Sequence, residues 1–209
     1  MLHCPNLMQI EGAMPKIGME PVRKDALIRA AIAEIGAVGS LDVTVGRIAR
    51  RAGVSAALAH HYFGSKDRIL LAAMRQILEE FRLDVSRRYK GAPTPRARLE
   101  AILEASFGPE QFDAAIVSAW LAFYVQAQRS PEAGRLLRVY ARRLDSNLVH
   151  ALRRLVPEPA AQSIAEGTAA MIDGLYIRAA LDGMAVDRPT ALDLVGQYLE
   201  MRIEKEALA

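Results

Sequence analysis

No stretch of this chain alternates apolar and polar residues for long enough to make a strand, whereas apolar residues three and four apart recur along almost its whole length. That pattern restricts the fold to helices packed on helices. In the first instance, over 22 to 38, Leu27, Ile28, Ala31, Ile32, Ile35 and Val38 form one stripe and Gly39 closes the helix. Thr44 then caps a short helix ending at Arg51, in which Ile48 and Ala49 face inward. Gly53 supplies a sharp turn, and Ser55 caps a second short helix that ends near Phe63 and Gly64. Ser65 opens a fourth, of about 25 residues and close to 40 Å at the helical rise, with Ile69, Leu70, Ala73, Ile77, Phe81 and Val85 as its stripe.

GAPTP at 91 to 95 reads as a linker. Beyond it, helices are expected near 96 to 107, 110 to 128, 131 to 155, 160 to 181 and 189 to 205, the third opened by Ser130, Pro131 and Glu132. The expected architecture is all-α with about nine helices. Residues 1 to 15 are expected to be a disordered extension, with Met14 a candidate natural start. Residues 16 to 66 form a three-helix head, and 67 to 209 a helical body. In the last two helices Ile164, Met171, Ile172 and Leu175, then Leu192, Val195, Tyr198 and Leu199, make apolar faces suited either to the core or to a second subunit.

The 209 residues, 52% hydrophobic and 24% charged, have the balance of a folded protein. The one cysteine, Cys4, has no partner, which excludes a disulfide framework and a CxxC metal pair and fits a reducing cytoplasm. The most apolar run, 112 to 128, contains Asp113 and two glutamines and falls short of the roughly 20 residues a bilayer needs, so it reads as a buried core helix. The first residues lack the basic start and long apolar centre of a signal peptide. Charge is uneven: residues 1 to 90 hold 14 Lys/Arg against 9 Asp/Glu, and the remainder 13 against 15. A polyanion partner would meet the N-terminal end.

The short helices around Gly53 match a helix-turn-helix in length and punctuation. Such a helix, with small side chains at its start, fits a major groove about 12 Å wide. Ala59, Tyr62 and Phe63 should pack inward on Leu27, Ile48 and the fourth helix. Ser55, Ala56, Ala57, Leu58, His60 and His61 are then left on the outer face. Ala and Leu can touch thymine methyls, and the histidines can reach purine acceptors or phosphate. Thr44, Tyr62, Lys66, Arg23 and Lys24 are the phosphate candidates, several beside helix N-termini that already favour anions. His60 and His61 are not a metal pair. Adjacent helix residues point about 100° apart, and no carboxylate or cysteine follows at the required spacing. No catalytic motif is present, so neither enzyme activity, cofactor nor metal is expected.

In the body, Trp120 and Tyr124 lie four apart on the most apolar helix, and Asp173 and Tyr176 three apart on another. Three aromatics and a carboxylate are the ingredients of a cage for a quaternary ammonium, and equally of an ordinary core. Tyr140, Asn147 and Glu104 are secondary candidates.

TVGRIARRAGVS followed by HYFGSK resembles the helix-turn-helix of TetR-family transcriptional repressors. MPKIGMEPVR at 14 to 23, AWLAFYV at 119 to 125, RRLDSNLV at 142 to 149 and AAMIDGLYIRAALDG at 169 to 183 are similar to the choline-responsive branch of that family, which controls glycine betaine synthesis genes. The resemblance implies a DNA-binding head on double-stranded operator DNA, a body that senses choline, and a homodimer joined through the last two helices. A sensor of another cationic or hydrophobic molecule, such as one controlling efflux, is the alternative. The departure from the family is the outer face at 56 to 60, poor in polar groups, which shifts sequence readout toward DNA shape and phosphate contacts.

Overall fold

The computed structural model describes residues 18–181 and 186–208. The extension expected over 1 to 15, with Cys4 and Met14, lies outside them. The described residues form nine α-helices: α1 (Met19–Val38), α2 (Val45–Arg51), α3 (Ala56–Phe63), α4 (Lys66–Lys90), α5 (Pro95–Ser106), α6 (Ala114–Ala127), α7 (Pro131–Leu152), α8 (Glu158–Ala179) and α9 (Arg188–Ala207). None of them is long and apolar enough to cross a membrane.

Helix starts follow from side-chain caps. Thr44, Ser55, Ser65, Thr94, Asp113, Ser130 and Asp187 each accept a backbone N–H from the first turn that follows. Such caps are worth about 1 kcal/mol apiece. Several boundaries lie one to four residues from the sequence reading, α7 for instance ending at Leu152 rather than 155, and two starts have a local cause. α6 begins at Ala114 rather than near 110, because Asp113 takes the Ala115 N–H at 2.9 Å while Phe112 packs edge-on against Phe107 at 5.4 Å. α1 begins at Met19, since Pro21 falls in a first turn that requires no N–H of it.

Leu27, Ile48 and Ala59, all fully buried, knit α1, α2 and α3 together, and Gly53 at φ 68° makes the turn between α2 and α3 that a side chain would oppose. α4 contacts α1 and α3 as well as α5, α6 and α7, so it belongs to both layers. The GAPTP segment is a tight turn rather than a loose linker: Ala92 is buried and Thr94 caps α5. α1 packs on α6, and the two backbones approach so closely at Gly36 that a Cβ there would collide with Ala115. α8 and α9 meet likewise at Gly167, over which the Tyr198 ring lies.

Of the residues in the last two helices that suited core or interface, Ile164, Ile172, Leu175, Val195 and Leu199 are buried within this chain. Met171, Leu192 and Tyr198 are half-buried. The apolar residues left exposed near them are Ile177, Leu181, Leu194 and Met201.

Candidate nucleic-acid interface and aromatic cage

α3 stands on two supports. Ala59 is buried under it, with Tyr62 and Phe63 half-buried beside, and the Ser55 hydroxyl accepts the Leu58 N–H at 3.1 Å. Ser55, Ala56, Ala57, His60 and His61 are exposed together, and Leu58 is partly so. Around this face, Thr44 is exposed and accepts the Arg47 N–H at 3.2 Å, and Arg23 is exposed on α1. Lys24 pairs with Glu20 at 2.6 Å and lies over the Tyr62 ring at 5.6 Å, so a phosphate would have to share or replace Glu20. Lys66 is half-buried and donates to the Leu41 carbonyl at 3.2 Å, tying the start of α4 to the turn before α2. That bond occupies one of three ammonium protons.

Sequence reasoning missed the group that orients α2. Glu34, 7% exposed on α1, accepts from Arg47 Nε at 2.9 Å and from Arg51 Nε at 2.7 Å. The Arg51 hydrogen bond, with the charge of Arg47 beside it, holds the Glu34 carboxyl below its usual range. The signal was an acid facing two arginines one helical turn apart, but only the fold brings α1 to them. Arg50, exposed on the same short helix, was also passed over.

In the body the four cage residues do converge. Trp120 and Tyr176 are buried, at 3% and 6% exposure. Ring centroids lie 6.0 Å apart for Trp120 and Tyr124 and 6.2 Å apart for Trp120 and Tyr176. The Tyr124 hydroxyl donates to Asp173 Oδ1 at 2.8 Å, and the Tyr176 hydroxyl donates to the Ser106 carbonyl. Tyr140, a secondary candidate from the sequence, is the nearest ring to Trp120 at 4.8 Å. The other two secondary candidates lie elsewhere. Asn147 lines a cleft between α4 and α7, and Glu104 is ion-paired with Arg188.

Electrostatics and hydrogen bonding single out this cluster. Burial pushes the Asp173 carboxyl up, against the Tyr124 hydrogen bond that pulls it down. Burial likewise pushes the phenols of Tyr124, Tyr140 and Tyr176 above their usual range, with Asp173 adding to each. The Trp120 Nε1 is buried and has no hydrogen-bond partner among the described residues. A cation without protons would be held by ring faces and would relieve the cost of the Asp173 charge. With Trp120 and Tyr140 at contact distance there is no room between them, so a ring must move for a ligand to enter.

Residues 27–73 match the family described as bacterial regulatory proteins, tetR family, and residues 95–204 match the BetI-type transcriptional repressor, C-terminal. A regulator from Brucella melitensis biotype 2, called HTH-type transcriptional regulator BetI, is 53% identical over 94% of this chain and 99% of its own. One of the same name from Agrobacterium fabrum is 53% identical over 91% of this chain and 93% of its own. Among solved structures, a TetR transcription regulator from Haloarcula marismortui shares the fold with a TM-score of 0.73 at 22% identity, covering 89% of this chain and 98% of that one. A regulator from Saccharomonospora viridis, solved in complex with choline, has a TM-score of 0.75 at 23% identity, covering 88% of this chain and 96% of that one.

Proposed function

The chain belongs to the TetR family of bacterial regulatory proteins, with a BetI-type repressor C-terminal half, and from that premise we propose that it is a choline-sensing repressor of glycine betaine synthesis genes. The observation that carries the reading is the convergence of Trp120, Tyr124, Tyr140 and Tyr176 on Asp173. Ring quadrupoles attract a quaternary ammonium without needing a proton from it, and a desolvated carboxylate supplies the counter-charge. The choline complex of the Saccharomonospora viridis regulator supports the same ligand class.

The DNA contacts proposed are base edges and thymine methyls for Ser55, Ala56, Ala57, Leu58, His60 and His61, and phosphates for Arg23, Lys24, Thr44, Tyr62 and Lys66. Residues 16 to 66 would act as the DNA-binding head and 67 to 209 as the sensing and dimerising body, in the cytoplasm. Two copies paired through α8 and α9 would set two α3 helices on half-sites about one helical turn apart, or a multiple of it. Choline enters the account only through different affinities for two states. Admitting it means displacing Tyr140 or Tyr124. Those rings sit on α7 and α6, which pack against α4 and α1.

Titration calorimetry with choline and its neutral isostere 3,3-dimethyl-1-butanol tests the cage. Choline should bind at least about ten-fold tighter, and Trp120→Ala should abolish that preference, on the strength of a desolvated cation–π contact. Equal binding of the two, or a preference for larger aromatic cations over choline, would instead favour a sensor of other molecules.

A further inference from the structure

A second feature of the body lies outside the cage. Between α4 and α7 runs an open cleft of about 1240 Å³, lined also by Ala92 and Pro93 of the turn after α4. Its floor is apolar, built on Phe81, Val85 and Leu144. Its walls are cationic: Arg75, Arg82, Lys90, Arg98 and Arg143 line it against a single acid, Glu79. That acid is already taken, since Arg82 grips both its oxygens at 2.6 and 2.7 Å. Arg75, Lys90, Arg98 and Arg143 have no carboxylate partner among the described residues. Arg98 is held in place, donating to the Ala92 carbonyl at 3.3 Å and lying over the Tyr89 ring at 5.1 Å.

Arg75, Lys90 and Arg98, with Arg143 shared only through the field of Glu79, leave an excess of positive charge around an apolar floor, which suits an anion with an apolar tail. We propose that this cleft is a second binding site, for an amphiphilic anion made of a linear hydrocarbon chain and a single carboxylate. The chain lies on Phe81, Val85 and Leu144, burying apolar surface on both partners. The carboxylate is taken by guanidinium groups, whose planar fork suits it. The volume of about 1240 Å³ exceeds what a molecule as small as choline fills and lies above the usual range for a small-molecule pocket, leaving room for an extended chain.

The site adjoins the cage and shares Tyr140 with it. Tyr140 lines the cleft and touches Phe81 at 5.4 Å on one side and Trp120 at 4.8 Å on the other. Trp120, the sole tryptophan of the chain, is therefore one ring away and reports on occupancy. An occupant here presses on α4, which also contacts α1 and α3. The site would then be a second input to the DNA-binding face.

The test is calorimetry on the full-length protein at fixed salt with sodium decanoate and the tail-matched alcohol 1-decanol, with Trp120 emission followed in parallel. The expected result is saturable decanoate binding with a change in Trp120 emission, and affinity for the alcohol at least about ten-fold weaker. Arg75→Ser with Arg143→Ser, both exposed positions, should weaken decanoate by about ten-fold or more and leave the melting temperature and choline binding unchanged. Equal affinity for acid and alcohol, full affinity in the double variant, or no decanoate binding would each overturn the proposal. None of these outcomes depends on the cage, whose own test is choline against its neutral isostere.

Discussion

Asp173 is placed where burial disfavours its charge, and the Tyr124 hydroxyl only partly offsets this. The sign of the consequence is fixed by linkage. A carboxyl whose folded-state pKa is raised costs nothing at low pH, where it is protonated in both states. The cost sets in as pH rises through the ordinary carboxylate range and is complete above the raised folded value. Asp173→Asn keeps an oxygen for the Tyr124 hydroxyl and removes the charge. Thermal melts near neutral pH should therefore show the variant more stable by about 2–4 °C, the shift that about 1 kcal/mol produces in a chain of this size, discounted for partial exposure. The gain should shrink toward zero in acid. Choline affinity measured by calorimetry should fall by about ten-fold or more, since the counter-charge is gone. A variant no more stable at neutral pH than at acid pH would mean that Asp173 is ordinarily solvated.

At the scale of elements, the head helices and the body meet closely where α1 crosses α6 at Gly36 and Ala115. Adding a methyl there meets backbone, which cannot step aside as a flexible side chain can. Gly36→Ala should cost about 1–3 kcal/mol, as overpacking does, read from urea unfolding. Ala115→Gly added to it should restore part of the loss, because it removes one of the colliding methyls. Neither residue stood out in the sequence. Gly36 sits inside a helical stripe without a turn to explain it, and one strand of text does not say which helix will cross which. The caps were legible because Thr44, Ser55, Ser65 and Ser130 satisfy a purely local need, and all four accept the expected N–H. Asp113 was not, because the apolar run around it continues the helical pattern through the turn. The cage was half legible. Spacing put Trp120 beside Tyr124 and Asp173 beside Tyr176, but the rank of Tyr140 depends on the distance between α6 and α7, which no periodicity encodes. The pairing of Glu104 was hidden for the same reason, its partner Arg188 lying on α9.

For the molecule as a whole, the exposed apolar residues Ile177, Leu181, Leu194 and Met201 near α8 and α9 are what the dimer proposal requires. Such positions lose little by exposure in a monomer, but a charge there is expelled from an apolar interface. Leu194→Asp with Met201→Asp should sediment as a monomer with its helical content intact. Its affinity for a two-half-site operator should drop by about 100-fold or more, as linked binding is lost. A double variant that remains dimeric would place the interface elsewhere. In the proposed account α4 would carry the coupling, since it contacts α1 and α3 on one side and α6 and α7 on the other. The central claim, that a ligand in the body controls DNA binding by the head, is tested most directly by fluorescence anisotropy on the duplex upstream of the protein's own gene. Salt must be fixed, because phosphate-driven affinity depends on it. The account predicts that the protein prefers this duplex to a scrambled one, and that choline, but not glycine betaine, shifts the affinity by about 5–150-fold, the usual range of allosteric coupling. Specific binding that choline leaves unchanged would contradict it.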